Sequence, residues 1–439
     1  CRSGKTGEGE GHEIDYRTED QQEVAAASAS GATDPREVFL ATLGRELHRA
    51  GIATDAIEET LTETAASIGL DAQIFALPTY ITIAIGPNWK QRTLMMRLEP
   101  GRVSLRKIAL LTHIYESLRK GLVDFDGATR LLLDVDRRWP GLPDWLQIPA
   151  MALIAVAVAL ILGGGIHEIV VATSIGICTG ILSTLAVRNA IVARLFPVAA
   201  AFAATLIVAL YTKFIGETNM FISLIAGIVV LLPGYTLTLA LHELANDFLV
   251  AGVARLGRVL SVLLALGCGA FLGLACVPWV ARMDTGSTHP VAATWWFVGS
   301  VAMAIGMSIN LDARLRDVVW VFASSFVALL MTHLLGTTSA HAVSAFLAAF
   351  FCGIVANLGA RFLRVPQAIM LVPALIVLVP GSLSYESVLF AFNHNIDNAL
   401  IFAGNAVVAA IQIVAGLLLS QLVLPTTTLR LRSGSTRAR

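Results

Sequence analysis

Two proline-glycine pairs inside long apolar runs are the residues best suited to bind a solute. Pro233-Gly234 lies in the uncharged run from Phe221 to Leu241, and Pro380-Gly381 lies in a similar run near the end of the chain. Proline removes a backbone hydrogen bond from a helix and glycine loosens the turn, so we expect a broken helix at each pair. In a bilayer the freed carbonyls and amides need partners, which are protein, water in a cavity or a bound solute. Two related breaks indicate a transport site, whereas one alone is typical of a tolerated kink.

Hydroxyl-bearing side chains follow both breaks. The predicted substrate ligands are the break residues themselves together with Tyr235, Thr236, Thr238, Ser382, Ser384, Tyr385 and Asn357. A hydroxyl just past a broken helix can bind either the backbone or a polar solute. For Asn357, which lies in an apolar run, hydrogen bonding between helices is an equally simple explanation.

Three carboxyl groups are candidates for proton coupling. Glu243 and Asp247 are four residues apart, a spacing that puts both on one face of a helix, and Glu386 is the only acid near the second break. Like charges at that spacing disfavour each other's ionisation, so a partly desolvated face would keep one carboxyl protonated. The alternative interpretation is that none of the three couples protons. Glu243 and Asp247 would then be exposed to water at the cytoplasmic end of their helix, and Glu386 would lie at the external end of the helix after the second break.

Other residue clusters do not indicate catalysis or metal binding. His167-Glu168 and His242-Glu243 lack the second histidine, four residues beyond the first, that a zinc hydrolase needs. The cysteines in the apolar runs have no close cysteine or histidine spacing. We therefore predict no metal, no other cofactor and no enzymatic activity.

The composition is that of a membrane protein preceded by a more polar part. Hydrophobic residues make up 56% of the 439 residues, and 31 basic residues balance 31 acidic ones, so no nucleic-acid partner is indicated.

Asp34 is a plausible N-cap with Pro35 in the first turn, and Gly86-Pro87-Asn88 predicts a β-hairpin. We expect a mainly α membrane protein with a small α+β domain. The predicted parts are a disordered tail (1–33), the α+β domain (34–143), two five-helix membrane repeats (144–285 and 286–425) and a basic tail (426–439).

Ten apolar segments of about membrane-spanning length follow that domain. They cover Leu146–Leu162, Ile169–Val187, Leu195–Tyr211, Phe221–Leu241, Val259–Val280, Thr294–Leu311, Val318–Leu335, Ala340–Leu358, Ala368–Ser384 and Leu400–Leu424. Every second loop carries two arginines, whereas the opposite loops carry only Lys213 and Arg282, which predicts that both termini and the α+β domain are cytoplasmic. Each break falls in the fourth segment of a five-segment half. An odd number of spans inverts the second half, so the halves are predicted to be inverted repeats.

Four segments of the chain carry a resemblance to a known family. They are Ala56–Leu61, Val103–Ile108, Leu232-Pro233-Gly234 through Leu244, and Val372-Pro373-Ala374 through Gly381. In their order and spacing the chain resembles the threonine/serine exporters of bacterial inner membranes. The resemblance implies ten spans behind a cytoplasmic domain, and export of L-threonine and L-serine driven by the proton gradient. Two-component relatives are associated with dicarboxylate export, so a succinate-type substrate stays an alternative.

The expected partners are a small-molecule substrate, protons and the lipid bilayer, and the oligomeric state, including a homo-oligomer, stays open. The near absence of lysine and arginine within the spans favours a zwitterionic amino acid over a dicarboxylate. A second alternative is a membrane-anchored enzyme whose cytoplasmic domain has hydrolase-like character.

Overall fold

The computed structural model describes residues 34–87, 89–98, 101–277, 292, 294–336, 343–363, 365–379, 381–392 and 395–425. The predicted tails over 1–33 and 426–439 and the break residue Pro380 lie outside the described residues. Most of the described chain is helical, in agreement with the expected fold class.

The N-terminal domain combines helices with one small sheet. The helices are α1 (Pro35–Arg49), α2 (Thr54–Ser67), α3 (Leu105–Arg119), α4 (Phe125–Leu133) and α5 (Val135–Arg138), and the strands are β1 (Ala72–Leu77), β2 (Tyr80–Ile85) and β3 (Arg92–Arg97). The strands pair antiparallel in the order β1-β2-β3, with Ile85 opposite Arg92, which confirms the predicted hairpin.

Local sequence signals explain these elements. The carboxylate of Asp34 accepts a hydrogen bond from the backbone N–H of Arg36 at 2.9 Å, so Asp34 is the N-cap of α1 as predicted. Alternate residues of β2, including Ile81 and Ile83, are fully buried and share an apolar core with Phe39. The same core continues into the apolar helices, so the domain is packed onto the helical bundle.

Twelve further helices form the bundle within the described ranges. They are α6 (Gln147–Ile161), α7 (Ile166–Arg188), α8 (Ala190–Phe214), α9 (Met220–Ile228), α10 (Gly234–Ala245), α11 (Leu249–Ala275), α12 (Trp295–Asn310), α13 (Val318–Gly336), α14 (Ser344–Leu358), α15 (Gln367–Leu378), α16 (Gly381–Phe392) and α17 (Ile396–Val423). In the described chain, eight helical segments are long and apolar enough to cross a membrane, and the bent pair α9 and α10 gives a ninth. The helix α12 has 16 residues and is shorter than a typical span, so the tenth predicted span stays a prediction.

Both apolar runs with a proline-glycine pair contain a break in the helix, as predicted. In the first, α9 ends at Ile228, a 3-10 turn covers Val229–Leu231, and α10 starts at Gly234 after a bend of 58°. In the second, α15 ends at Leu378, Val379 has extended backbone and α16 starts at Gly381.

The turn between α12 and α13 attaches the N-terminal domain to the bundle. Asp312 adopts a left-handed backbone conformation (φ 50°), and its Oδ2 accepts hydrogen bonds from Ser104 Oγ and Arg106 Nε, both at 2.8 Å. Its Oδ1 accepts from the backbone N–H of Leu142 at 3.0 Å. These bonds hold the loop that precedes α3 against the helical bundle. Arg102 lies in that loop.

Candidate functional site

The two helix breaks meet at Gly234 and Gly381. A Cβ atom on Gly234 would lie 2.9 Å from the Cα atom of Gly381 and 2.1 Å from Cγ1 of Val379, both too close for an ordinary contact. Glycine at position 234 is therefore what allows the breaks to approach each other so closely.

A cavity of about 530 Å³ opens beside this contact. Six of the predicted substrate ligands line it: Pro233, Gly234, Tyr235, Thr236, Gly381 and Ser382. The remaining lining is mostly apolar, and the volume lies within the range of small-molecule sites. The structure thus brings the two predicted half-sites together at one place; we call this the central cavity.

The other predicted substrate ligands in the described chain do not line the central cavity: Thr238, Ser384, Tyr385 and Asn357. The Nδ2 atom of Asn357 donates to the carbonyl oxygens of Ser420 at 3.2 Å and Leu424 at 3.0 Å. Its Oδ1 accepts from Gln367 Nε2 at 2.8 Å. Asn357 therefore makes the hydrogen bonds between helices that the alternative interpretation describes.

Two arginines that sequence reasoning did not single out also line the central cavity. Arg102 comes from the loop before α3 and donates a hydrogen bond to Ser183 Oγ at 2.9 Å, and Arg258 lies in α11. Among the described residues, neither arginine has a carboxylate within ion-pair distance. No local pattern could have revealed Arg102, because it lies outside the apolar runs and only the fold carries it to the cavity.

Glu243, predicted for proton coupling, is fully buried in an ion pair. Its Oε1 and Oε2 atoms lie 2.7 and 2.8 Å from Nε of Arg255, and Oε1 accepts a further hydrogen bond from Thr54 Oγ1 at 2.5 Å. The side chain has 0% exposure, so the interpretation of Glu243 as a water-exposed residue is wrong. This carboxylate therefore already has hydrogen-bond and ion-pair partners within the protein. It joins the N-terminal domain to α10 and α11.

Asp247 is not on the same helix face as Glu243, and that prediction is wrong. The helix α10 ends at Ala245, and Asp247 has a φ of 64°, so the chain has already left the helix. Asp247 is exposed to solvent in the short link to α11. The helix α11 then begins at Leu249. Arg255 and Arg258, which the predicted spans place in the loop between Leu241 and Val259, therefore lie within a helix.

A second contact between domain and bundle pairs Asp55 with His242. The Oδ2 atom of Asp55, in the first turn of α2, lies 3.2 Å from Nδ1 of His242 in α10. Burial opposes ionisation of Asp55, but the hydrogen bond and charge of His242 outweigh it, so the pKa of this carboxyl is lowered. Asp55 therefore carries a negative charge at neutral pH.

Glu386, the third carboxyl predicted for proton coupling, is half-buried in α16. Unlike Glu243, it has no ion-pair or hydrogen-bond partner within the part of the chain that the structure describes. A carboxyl in that setting can gain or lose a proton without breaking an ion pair.

The two histidine-glutamate pairs are structural in this fold. Glu168 is buried, and its carboxylate accepts hydrogen bonds from the backbone N–H groups of Gly165 and Asn219, both at 2.7 Å. His167 is paired with the Tyr211 hydroxyl at 2.8 Å. No group of three or more metal-ligating side chains occurs among the described residues.

Comparison with protein-family models identifies the chain. The model described as "Putative threonine/serine exporter" (ThrE) matches residues 38–277, and the model described as "Threonine/Serine exporter, ThrE" (ThrE_2) matches residues 293–423. The chain belongs to the threonine/serine exporter family. The two matched ranges include both helix breaks and the central cavity between them, so the candidate site lies within the part of the chain that the family models match.

Relatives of this exporter family member occur among fungal membrane proteins. It is 24% identical over 386 residues to pheromone-regulated membrane protein 10 of Eremothecium gossypii, a match that covers 86% of this chain and 52% of the relative. It is 25% identical over 376 residues to the protein of that name from Candida albicans, covering 81% of this chain and 33% of the relative. The chain thus spans about half or less of these relatives. No solved structure gives a significant match.

Family membership and the apolar helices agree on the broad class of this protein. Eight membrane-length helices in the described chain make it a multi-pass membrane protein, and the exporter family is one of membrane transporters. In many secondary transporters the substrate site lies near the middle of the bilayer and is formed by discontinuous helices.

Proposed function

We propose that this chain is a secondary active transporter that exports L-threonine and L-serine across the cell inner membrane, driven by the proton gradient. The observation that carries this proposal is the central cavity, formed where the breaks at Pro233-Gly234 and Gly381 meet. Paired broken helices of this kind expose backbone groups at the middle of a membrane, where a solute can replace water as their partner.

The lining of the central cavity suits a hydroxy amino acid. Arg102 and Arg258 offer guanidinium groups to the carboxylate, and the hydroxyls of Thr236 and Ser382 can hydrogen-bond to the substrate hydroxyl. The carbonyl groups freed at the breaks are then left for the ammonium group. Glu243 is not available for that task, because Arg255 and Thr54 already occupy its oxygens.

Glu386 is the carboxyl that we assign to proton coupling. It lies in α16, the helix that starts at Gly381. Protonation of Glu386 would therefore change the electrostatic potential near the second helix break. The buried ion pair with Arg255 and the hydrogen bond from Thr54 make Glu243 a structural link in this proposal. Asp247 lies in solvent beyond α10 and has no coupling role here.

The proposal includes the predicted topology of ten spans in two inverted five-helix repeats, over 144–285 and 286–425. The family models divide the chain between residues 277 and 293, which supports a boundary near 285. The arginine-bearing start of α11 contacts the N-terminal domain through Arg255, Glu243 and Thr54. Positive residues mark the cytoplasmic side, so this contact supports a cytoplasmic domain over 34–143 and cytoplasmic termini.

A dicarboxylate is the second candidate substrate, and one observation favours it. Arg102 and Arg258 both line the central cavity without a carboxylate partner among the described residues, and two guanidinium groups match two carboxylates. Cations are scarce within the predicted spans, but Arg102 comes from a loop and still reaches the central cavity.

The test is counterflow of labelled L-threonine in proteoliposomes at two pH gradients, with succinate as competitor. Gradient-dependent exchange that unlabelled L-threonine and L-serine suppress would support the proposal. Counterflow of labelled succinate without counterflow of labelled L-threonine would move the substrate to dicarboxylates, and the absence of flux for labelled L-threonine, L-serine and succinate would overturn transport. Chemical conversion of the solutes by the full chain would instead favour a membrane-anchored enzyme.

A further inference from the structure

A second cavity lies between the N-terminal domain and the bundle. Its volume is about 370 Å³, and its polar lining includes Asp55 and Glu59 from α2 and Thr238 and His242 from α10. Tyr235 and Val103 line both this cavity and the central cavity, so the two cavities are neighbours. We call this space the interdomain cavity.

The interdomain cavity carries a negative charge. Asp55 is ionised, and Glu59 is exposed and has no ion-pair partner in the described chain. The nearby charges of Glu243 and Arg255 cancel in their own ion pair. No lysine or arginine occurs among the described residues that line this cavity, so His242 is its sole cationic candidate. A charge on His242 would balance Asp55 alone and leave Glu59 without a counter-charge. A ligand with a positive charge is therefore favoured.

A buried hydroxyl in the wall has no protein partner. Thr238 is 1% exposed, and its Oγ1 atom has no hydrogen-bond partner within the described ranges. The Oδ1 atom of Asp55 is unpaired in the same way, while Oδ2 contacts His242. Buried polar atoms nearly always have a partner, and leaving one without costs about 1–3 kcal/mol. Both atoms belong to residues lining one cavity, so a bound ligand is the simplest partner for them.

We infer that the interdomain cavity is a second ligand site, for a small organic cation with an ammonium group. Asp55 and Glu59 supply the negative charge, and the Thr238 hydroxyl supplies a hydrogen bond. Asp55 belongs to the domain and Thr238 to α10, so an occupied site ties the domain to the helix that continues from the first break. The site is separate from the central cavity and goes beyond the proposed transport.

The test is calorimetric titration of the purified full-length chain with L-threoninamide, which has an ammonium group and a hydroxyl but no carboxylate. We expect binding that weakens about tenfold or more in Asp55→Asn and in Thr238→Val, because each variant removes one interaction with the cation or its substituents. The matched controls are Asp126→Asn, an exposed aspartate of the same domain, and Thr173→Val, a threonine of α7 that lines neither cavity. Both should bind as the parent chain does.

Two outcomes would overturn the inference. One is the absence of L-threoninamide binding to the parent chain, and the other is binding that Thr238→Val and Glu59→Gln leave unchanged. Asp55→Asn could loosen the domain, because Asp55 contacts His242 of the bundle. Thr238→Val and Glu59→Gln remove no contact between domain and bundle, so they test ligand binding without that effect. Transport without L-threoninamide binding would leave the proposed function standing, and binding without transport would leave this inference standing.

Discussion

The guanidinium Nε of Arg255 lies 2.7 and 2.8 Å from the two carboxylate oxygens of Glu243, and both residues are at the end of the bundle that the N-terminal domain covers. Thr54 of that domain donates to the same carboxylate. The first turn of α2 therefore rests on a buried ion pair between α10 and α11, and the domain position depends on that pair.

Glu243→Gln should loosen the N-terminal domain. The substitution leaves the largely buried Arg255 without a counter-ion, and breaking a buried pair in this way costs about 3–5 kcal/mol. We expect a lower thermal midpoint and faster limited proteolysis of the domain. Asp247→Asn is the matched control, because Asp247 is exposed and outside the pair. If Glu243→Gln kept full stability and lost only the pH-gradient dependence of transport, Glu243 would be a proton carrier after all.

Gly234→Ala should impair transport by forcing the two breaks apart. The added Cβ would sit 2.1 Å from Cγ1 of Val379 and 2.9 Å from the Cα of Gly381, and overpacking of this kind costs about 1–3 kcal/mol. We expect reduced exchange in proteoliposomes together with lower thermal stability. Gly257→Ala, in α11, meets nothing within 4 Å and should behave as the parent chain does. Equal exchange by both variants would contradict a role for the contact.

Arg258→Gln and Arg102→Gln should raise the KM for a carboxylate-bearing substrate. Each removes a guanidinium from the central cavity, and the loss of one charged hydrogen bond corresponds to about a tenfold change or more. The measurement is the concentration dependence of exchange. Arg188→Gln removes an exposed arginine that does not line the cavity and serves as the control. A KM unchanged in both cavity variants would show that the substrate carboxylate binds elsewhere.

Glu386→Gln should uncouple exchange from the pH gradient. The amide cannot exchange a proton but keeps the shape of the side chain, so counterflow at equal pH should continue while acceleration by a gradient disappears. Glu217→Gln, an exposed carboxyl in the link between α8 and α9, is the control. Retention of gradient-driven export in Glu386→Gln would assign the coupling to another group.

The thermal stability of the chain should fall as the pH drops below about 6.5, and His48 should account for part of that loss. Burial lowers the pKa of His48 in α1, outside the bundle, although its Nε2 interacts with the carbonyl oxygens of Leu77 and Pro78. A lowered folded-state pKa gives a stabilisation that is complete above the unfolded pKa and is lost as the pH falls towards the folded one. His48→Gln should flatten the dependence of the thermal midpoint between about pH 8 and pH 5.5, whereas His113→Gln, at an exposed position, should not.

The sequence alone determined the membrane class, the helix breaks, the N-cap at Asp34 and the hairpin after β2. These follow from hydropathy over one span and from the backbone chemistry of proline, glycine and capping residues, all of which act within a few neighbours along the chain. The end of α10 was missed for a related reason: four-residue spacing implies a shared face only while the helix continues, and it stops at Ala245.

Only the tertiary structure decided which of these residues meet. It brings Gly234 to Gly381, Thr54 to Glu243, and Arg102 into a cavity lined by both breaks. It also converts Glu243 from a plausible proton carrier into half of a buried ion pair, while Glu386 stays without a partner among the described residues. Burial and ion pairing depend on groups that are distant in the chain and adjacent in space, and local periodicity holds no information about that adjacency.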